Sequence, residues 1–179
     1  MDIDTFISTY PRAYHMAEPE SWESIRSYGL LSTSALLDQY GFGGERREAI
    51  EGLHRPELIT ITADGKRDAV IRDQKPMDNH GLLRALHGTG MTPEDWYRCL
   101  NSKVFFWVSK QRLHKLLNAS AYRNLEHDVL TINTESLVKE HCGSIVLSPI
   151  NSGTVSGFFV VLRALAGNEW GLSFLLGGH

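Results

Sequence analysis

Two cysteines in 179 residues, Cys99 and Cys142, form neither a C-x-x-C pair nor a zinc-ligand spacing, so a disulfide framework is excluded and a reducing compartment fits. No run approaches the roughly 20 apolar residues that cross a bilayer. The opening MDIDTFISTYPRAYH carries acids where a secretory signal carries bases, and has no continuous apolar stretch. These absences lead us to expect a cytoplasmic protein without membrane attachment. A formal charge of −3 and a pI near 6.2 remove any general attraction to nucleic acid, leaving only a local basic cleft as a route to it. No glycine fingerprint follows a strand, no G-x-S-x-G elbow is present, and strands do not alternate regularly with helices, which excludes a doubly wound parallel sheet. The eight histidines include no H-E-x-x-H pattern, and His80 and His87, seven apart, have no acidic neighbour at ligand spacing, so no metal is expected.

What is present reads as an α+β protein. Pro19, Trp22, Ile25, Tyr28 and Gly29 predict a helix over 19–28 ended by a left-handed glycine. Ser32 caps a second helix that buries Leu36, Leu37 and Tyr40 and closes at Gly41. ELITIT and RDAVIRDQ flank an Asp-Gly turn, the strongest hairpin signal in the chain. Helices are expected over 79–87 and 92–100, the second capped by Thr92, followed by the strand KVFFWVS and a helix with Leu113, Leu116 and Leu117 inside. HDVLTINT and GSIVLSP complete the strands, with a short helix between them. Without repeats or a linker, the expectation is a single domain over 1–179 with a split, mostly antiparallel sheet and flanking helices, ending in an atypical apolar tail at 155–179.

Few residues rise above their structural roles. Phe106 and Trp107 alternate on one strand, so one faces the core while the other can face a cleft and stack a flat ring. Arg72 ends a strand before a proline-containing loop, where a guanidinium can hold phosphate. In SPINSGTVSG, Ser148, Asn151 and Ser152 are either turn formers or polar groups of a ligand-facing loop.

The stretch YHMAEPESWESIRSYGLLS, with the RDQKPM loop and the KVFFWVS strand, resembles the ADP-ribosyltransferase fold. The likeness is to the small bacterial branch that includes DarT-type DNA ADP-ribosyltransferases and the RNA 2′-phosphotransferases. Those families open on a strand ending in a histidine motif, then a helix, then Gly-Leu. The resemblance implies that NAD is the substrate, that His15 bonds a ribose hydroxyl, and that Tyr14 and Ser32 lie beside the same site. It also implies that Phe106 or Trp107 stacks on nicotinamide, that Arg72 holds phosphate or assists transfer, and that Ser148, Asn151 and Ser152 line the cleft. Such sites must hold the leaving ring, fix the ribose hydroxyls and stabilise charge that appears only in the transition state. Many members use a late glutamate; after Glu140 the only acid here is Glu169, which no motif places.

Two readings therefore stand. One is an NAD-dependent ADP-ribosyltransferase-like enzyme acting on a protein, nucleic acid or small-molecule acceptor. The other is a non-catalytic nucleotide-binding or regulatory, antitoxin-like module of the same fold. A hydrolase of a nucleotide-like ligand has no visible nucleophile or metal motif to support it.

Overall fold

Tyr10 and Pro11 separate a short helix, α1 (Ile3–Thr9), from the first strand, β1 (Arg12–Ala17), in a computed structural model that describes residues 2–74, 79–150 and 156–163. Asp2 starts α1 by accepting the Thr5 N–H at 2.9 Å. Then come α2 (Trp22–Tyr28), α3 (Thr33–Gln39), α4 (Gly44–Glu51), β2 (Ile59–Ile61), β3 (Ala69–Ile71), α5 (Asn79–Leu86), α6 (Pro93–Asn101) and β4 (Lys103–Trp107). The described chain finishes with α7 (Lys110–Leu117), β5 (Asp128–Asn133), α8 (Thr134–His141), β6 (Ile145–Ile150) and β7 (Ser156–Arg163). The protein is α+β with antiparallel strand pairs. Among the described residues, no helix is long and apolar enough to cross a membrane.

Capping chemistry places several boundaries. Thr92 and Asp95 form a reciprocal capping box with Pro93 in the first turn of α6. The Ser32 hydroxyl accepts the Ala35 N–H at 3.2 Å and starts α3 as expected. The helix expected from Pro19 begins only at Trp22. Residues 19–21 form a turn instead, with Glu20 at φ 65°, a conformation that no helix continues through, and the Ser21 N–H bonding the Glu18 carbonyl. At the other end, Gly29 has φ 86°, the left-handed stop that its position predicts.

The described residues divide into two compact units, one formed by the chain up to Trp22 together with Phe105 onward, the other by Glu23–Val104. In the first, five strands run in the order β5-β1-β4-β7-β6. β1 pairs antiparallel with β5 over six residues, from Arg12 opposite Asn133 to Ala17 opposite Asp128. Its ladder with β4 is a single pair, Tyr14 opposite Trp107. One face of this pairing is apolar and covered: Tyr14 and Met16 pack with Leu113 of α7 and with Tyr122, bordered by Trp107, Leu116 and Leu117.

In the second unit, β2 and β3 form the expected hairpin, Ile59 opposite Ile71, turning at Gly65 with φ 71°. Its core is Leu37, Tyr40, Ile50, Ile61, Ala69 and Ile71. Arg47, whose neighbours in sequence predict a solvated helix face, instead bridges Asp38 and Glu51, and Glu51 is buried. Burial raises the Glu51 carboxyl pKa, but hydrogen bonds from Arg47 and Ser34 and the nearby positive charges outweigh it, leaving it below the ordinary carboxylate value.

Candidate functional site

On β1 the side chains alternate, so His15 lies on the face opposite Tyr14 and Met16. Its half-buried imidazole reaches across to β4, where Nδ1 lies 2.9 Å from the Phe105 carbonyl oxygen. A carbonyl only accepts, so Nδ1 carries the proton and donates it. The neutral ring then has Nε2 as its acceptor. This bond joins two strands whose backbone ladder is a single pair.

Phe106 shares the His15 face. The two rings lie 5.8 Å apart, tilted by 55°, and Phe106 is 1% exposed. Trp107 belongs to the opposite face, with Tyr14, because residues paired across a ladder point the same way. The choice left open between Phe106 and Trp107 is thereby made in favour of Phe106 as the ring beside His15. Neither Tyr14 nor Trp107 can share a cleft on that face, since the sheet lies between. Phe106 backs the imidazole instead of presenting an open ring for stacking.

Ser32 and Arg72 lie in the second unit. Ser32 is 2% exposed and its hydroxyl is engaged in capping α3, which accounts for it without a ligand. Arg72 follows β3 directly, half-buried, and its carbonyl accepts a hydrogen bond from Arg55 Nε at 2.8 Å. Ser148 sits in β6 opposite Phe159, next to an irregularity in the ladder before Ile150. Asn151, Ser152, Glu169 and residues 75–78 of the RDQKPM loop lie outside the described residues, as does the tail beyond Arg163. Among the described residues, no group of three His, Cys, Asp or Glu side chains is placed to hold a metal.

Sequence reasoning missed Arg55. An arginine before a proline between two elements reads as solvated, yet Arg55 is 6% exposed. Besides Arg72, its guanidinium donates from Nη1 to the Ile50 carbonyl at 2.7 Å and from Nη2 to Asn101 Oδ1 at 3.1 Å. Asn101, itself buried, passes the connection on through Nδ2 to the Glu51 carbonyl at 2.8 Å. Burial lowers the Arg55 pKa to about 10, partly offset by the Asp73 charge, so the group stays a cation at neutral pH. The fork geometry of guanidinium explains the residue type, because one side chain serves three acceptors from three segments. No local sequence pattern announces this.

No curated protein and no solved structure matches the chain. The sequence profile described as "Family of unknown function (DUF7002)" matches residues 11–164, and the chain belongs to that family.

Proposed function

We propose that the protein is an NAD-dependent ADP-ribosyltransferase-like enzyme of α+β, split-sheet architecture, transferring ADP-ribose to a protein, nucleic acid or small-molecule acceptor. The observation that carries the reading is the anchored imidazole of His15: Nδ1 is committed to the Phe105 carbonyl, which fixes the tautomer in which Nε2 accepts. An acceptor nitrogen held at a set orientation is the chemistry that a ribose O–H requires, so this residue fits the ligand that the sequence resemblance implies. NAD supplies the ADP-ribosyl group and nicotinamide as the leaving group. Phe106, buried against His15, keeps the imidazole plane from rotating. Arg72 is assigned to the phosphates or to the transfer step on the resemblance together with its fixed place at the end of β3. A cytoplasmic location belongs to the same proposal, supported by two free thiols, Cys99 and Cys142.

The test is incubation with NAD, alone and with DNA, RNA or protein acceptors, following nicotinamide release. Release above the no-protein control, abolished or strongly reduced in His15→Ala, is expected. The covered ring of Phe106 favours one second reading, a non-catalytic nucleotide-binding module. That reading predicts NAD binding with no nicotinamide released under any condition. Absence of both release and binding would remove NAD from the account.

A further inference from the structure

β3 ends at Ile71, and the next three residues leave the sheet. Exit segments of this kind are ordinarily held only at their ends. Here the segment 72–74 is bound along its length by two consecutive residues, His54 and Arg55. Arg55 Nε donates to the Arg72 carbonyl at 2.8 Å, and the Arg55 backbone N–H donates to Gln74 Oε1 at 3.0 Å. In return the Gln74 N–H donates to the Arg55 carbonyl at 2.6 Å. His54 Nε2–H donates to the Gln74 carbonyl at 3.0 Å. The latch is itself anchored, because the other two guanidinium nitrogens of Arg55 are tied to Ile50 and Asn101.

We propose that Arg55 is a positioning residue for Arg72: the His54–Arg55 latch fixes the backbone on both sides of Asp73, and so sets the direction in which Arg72 presents its guanidinium to the phosphates of the substrate. This rests on the proposed NAD reading. A core cation needs acceptors, but it does not need them on a loop. Three of the four latch bonds involve backbone groups of 72 and 74, the residue bearing the phosphate-binding side chain and its near neighbour. Holding a ligand-binding arginine from behind lowers the ordering cost of binding and keeps the reacting groups in register.

The experiment is a double-mutant cycle on the full chain, using Arg55→Lys and Arg72→Ala separately and together, with NAD affinity by calorimetry and nicotinamide release both measured. Lysine keeps the charge but cannot reproduce the three-way fork. In the Arg72 background, Arg55→Lys is expected to lower kcat/KM and NAD affinity by about tenfold, the scale of a small misplacement of a binding group. In the Arg72→Ala background it is expected to change neither. Gln74→Ala, which removes a latch bond without touching the buried cation, should show the same dependence on Arg72 with a smaller effect. Equal losses in both backgrounds would overturn the inference and leave Arg55 a purely structural residue. An unaltered chain that neither binds nor cleaves NAD would overturn the NAD reading and the inference with it. If NAD binds without release, the cycle is decided on affinity alone, coupled losses supporting the inference and additive losses refuting it.

Discussion

Phe106→Ala is expected to destabilise the first unit by about 3–5 kcal/mol, the range for truncating a fully buried phenylalanine. The ring is 1% exposed and lies on β4, with β1 and β7 as that strand's sheet neighbours, so neighbouring strands cannot collapse freely into the space it leaves. Part of the wall behind the His15 imidazole would be lost as well. Phe106→Leu should be milder, since it refills most of the volume. Denaturant midpoints followed by tryptophan fluorescence, with Trp107 on the neighbouring position, would read the change. A loss below about 1 kcal/mol for the alanine variant would show that the ring is not part of a packed core.

Arg55→Ala is expected to produce a loss of similar size in the second unit by a different route. It removes the donor from the Ile50 carbonyl, the Arg72 carbonyl and Asn101 Oδ1 together. Each buried acceptor left without a partner costs about 1–3 kcal/mol, and the total falls short of a sum because water can enter an alanine-sized gap. Arg55→Met separates the two contributions: it keeps the aliphatic packing and deletes the charge, whose burial is what lowers the Arg55 pKa. The methionine variant should therefore recover part of the loss but not all of it, because the three acceptors stay unpaired. Thermal unfolding of the three proteins at neutral pH is the measurement. Equal stability of wild type and alanine variant would mean that the buried fork contributes nothing net.

Much of the secondary structure was legible because it is written in local chemistry. Thr92, Pro93 and Asp95 specify the start of α6 within four residues, and the Asp-Gly pair specifies the hairpin turn. The register of Leu36, Leu37 and Tyr40 gives away the buried side of α3. Pro19 misled because proline is equally at home in a turn and in a first helical turn; what decides is the positive φ of Glu20, which no residue pattern announces. The division into two units was hidden for a similar reason. Its edges fall at the start of α2 and inside β4 instead of in a glycine- or proline-rich linker, and the first unit unites segments far apart in the chain.

At the candidate site, alternation along KVFFW established that only one of Phe106 and Trp107 can face a ligand, but not which. That depends on the β1–β4 register, a non-local property. His15 drew notice through its motif, whereas its bond to the Phe105 carbonyl spans ninety positions of sequence and could not be foreseen from either segment. Arg55 was invisible for the same reason. Its acceptors come from residues 50, 72 and 101, and only folding brings them to one guanidinium.

The central claim is that the anchored imidazole of His15 receives a ribose hydroxyl of NAD. Calorimetric titration of NAD into the unaltered protein and into His15→Ala, each checked for an intact fold by circular dichroism, tests it most directly. The unaltered chain is expected to bind, and the variant to bind more weakly by about 1–3 kcal/mol, the usual consequence of leaving a buried hydrogen-bonding group unpaired. Equal affinity in the two folded proteins, or no heat of binding in the unaltered one, would contradict it.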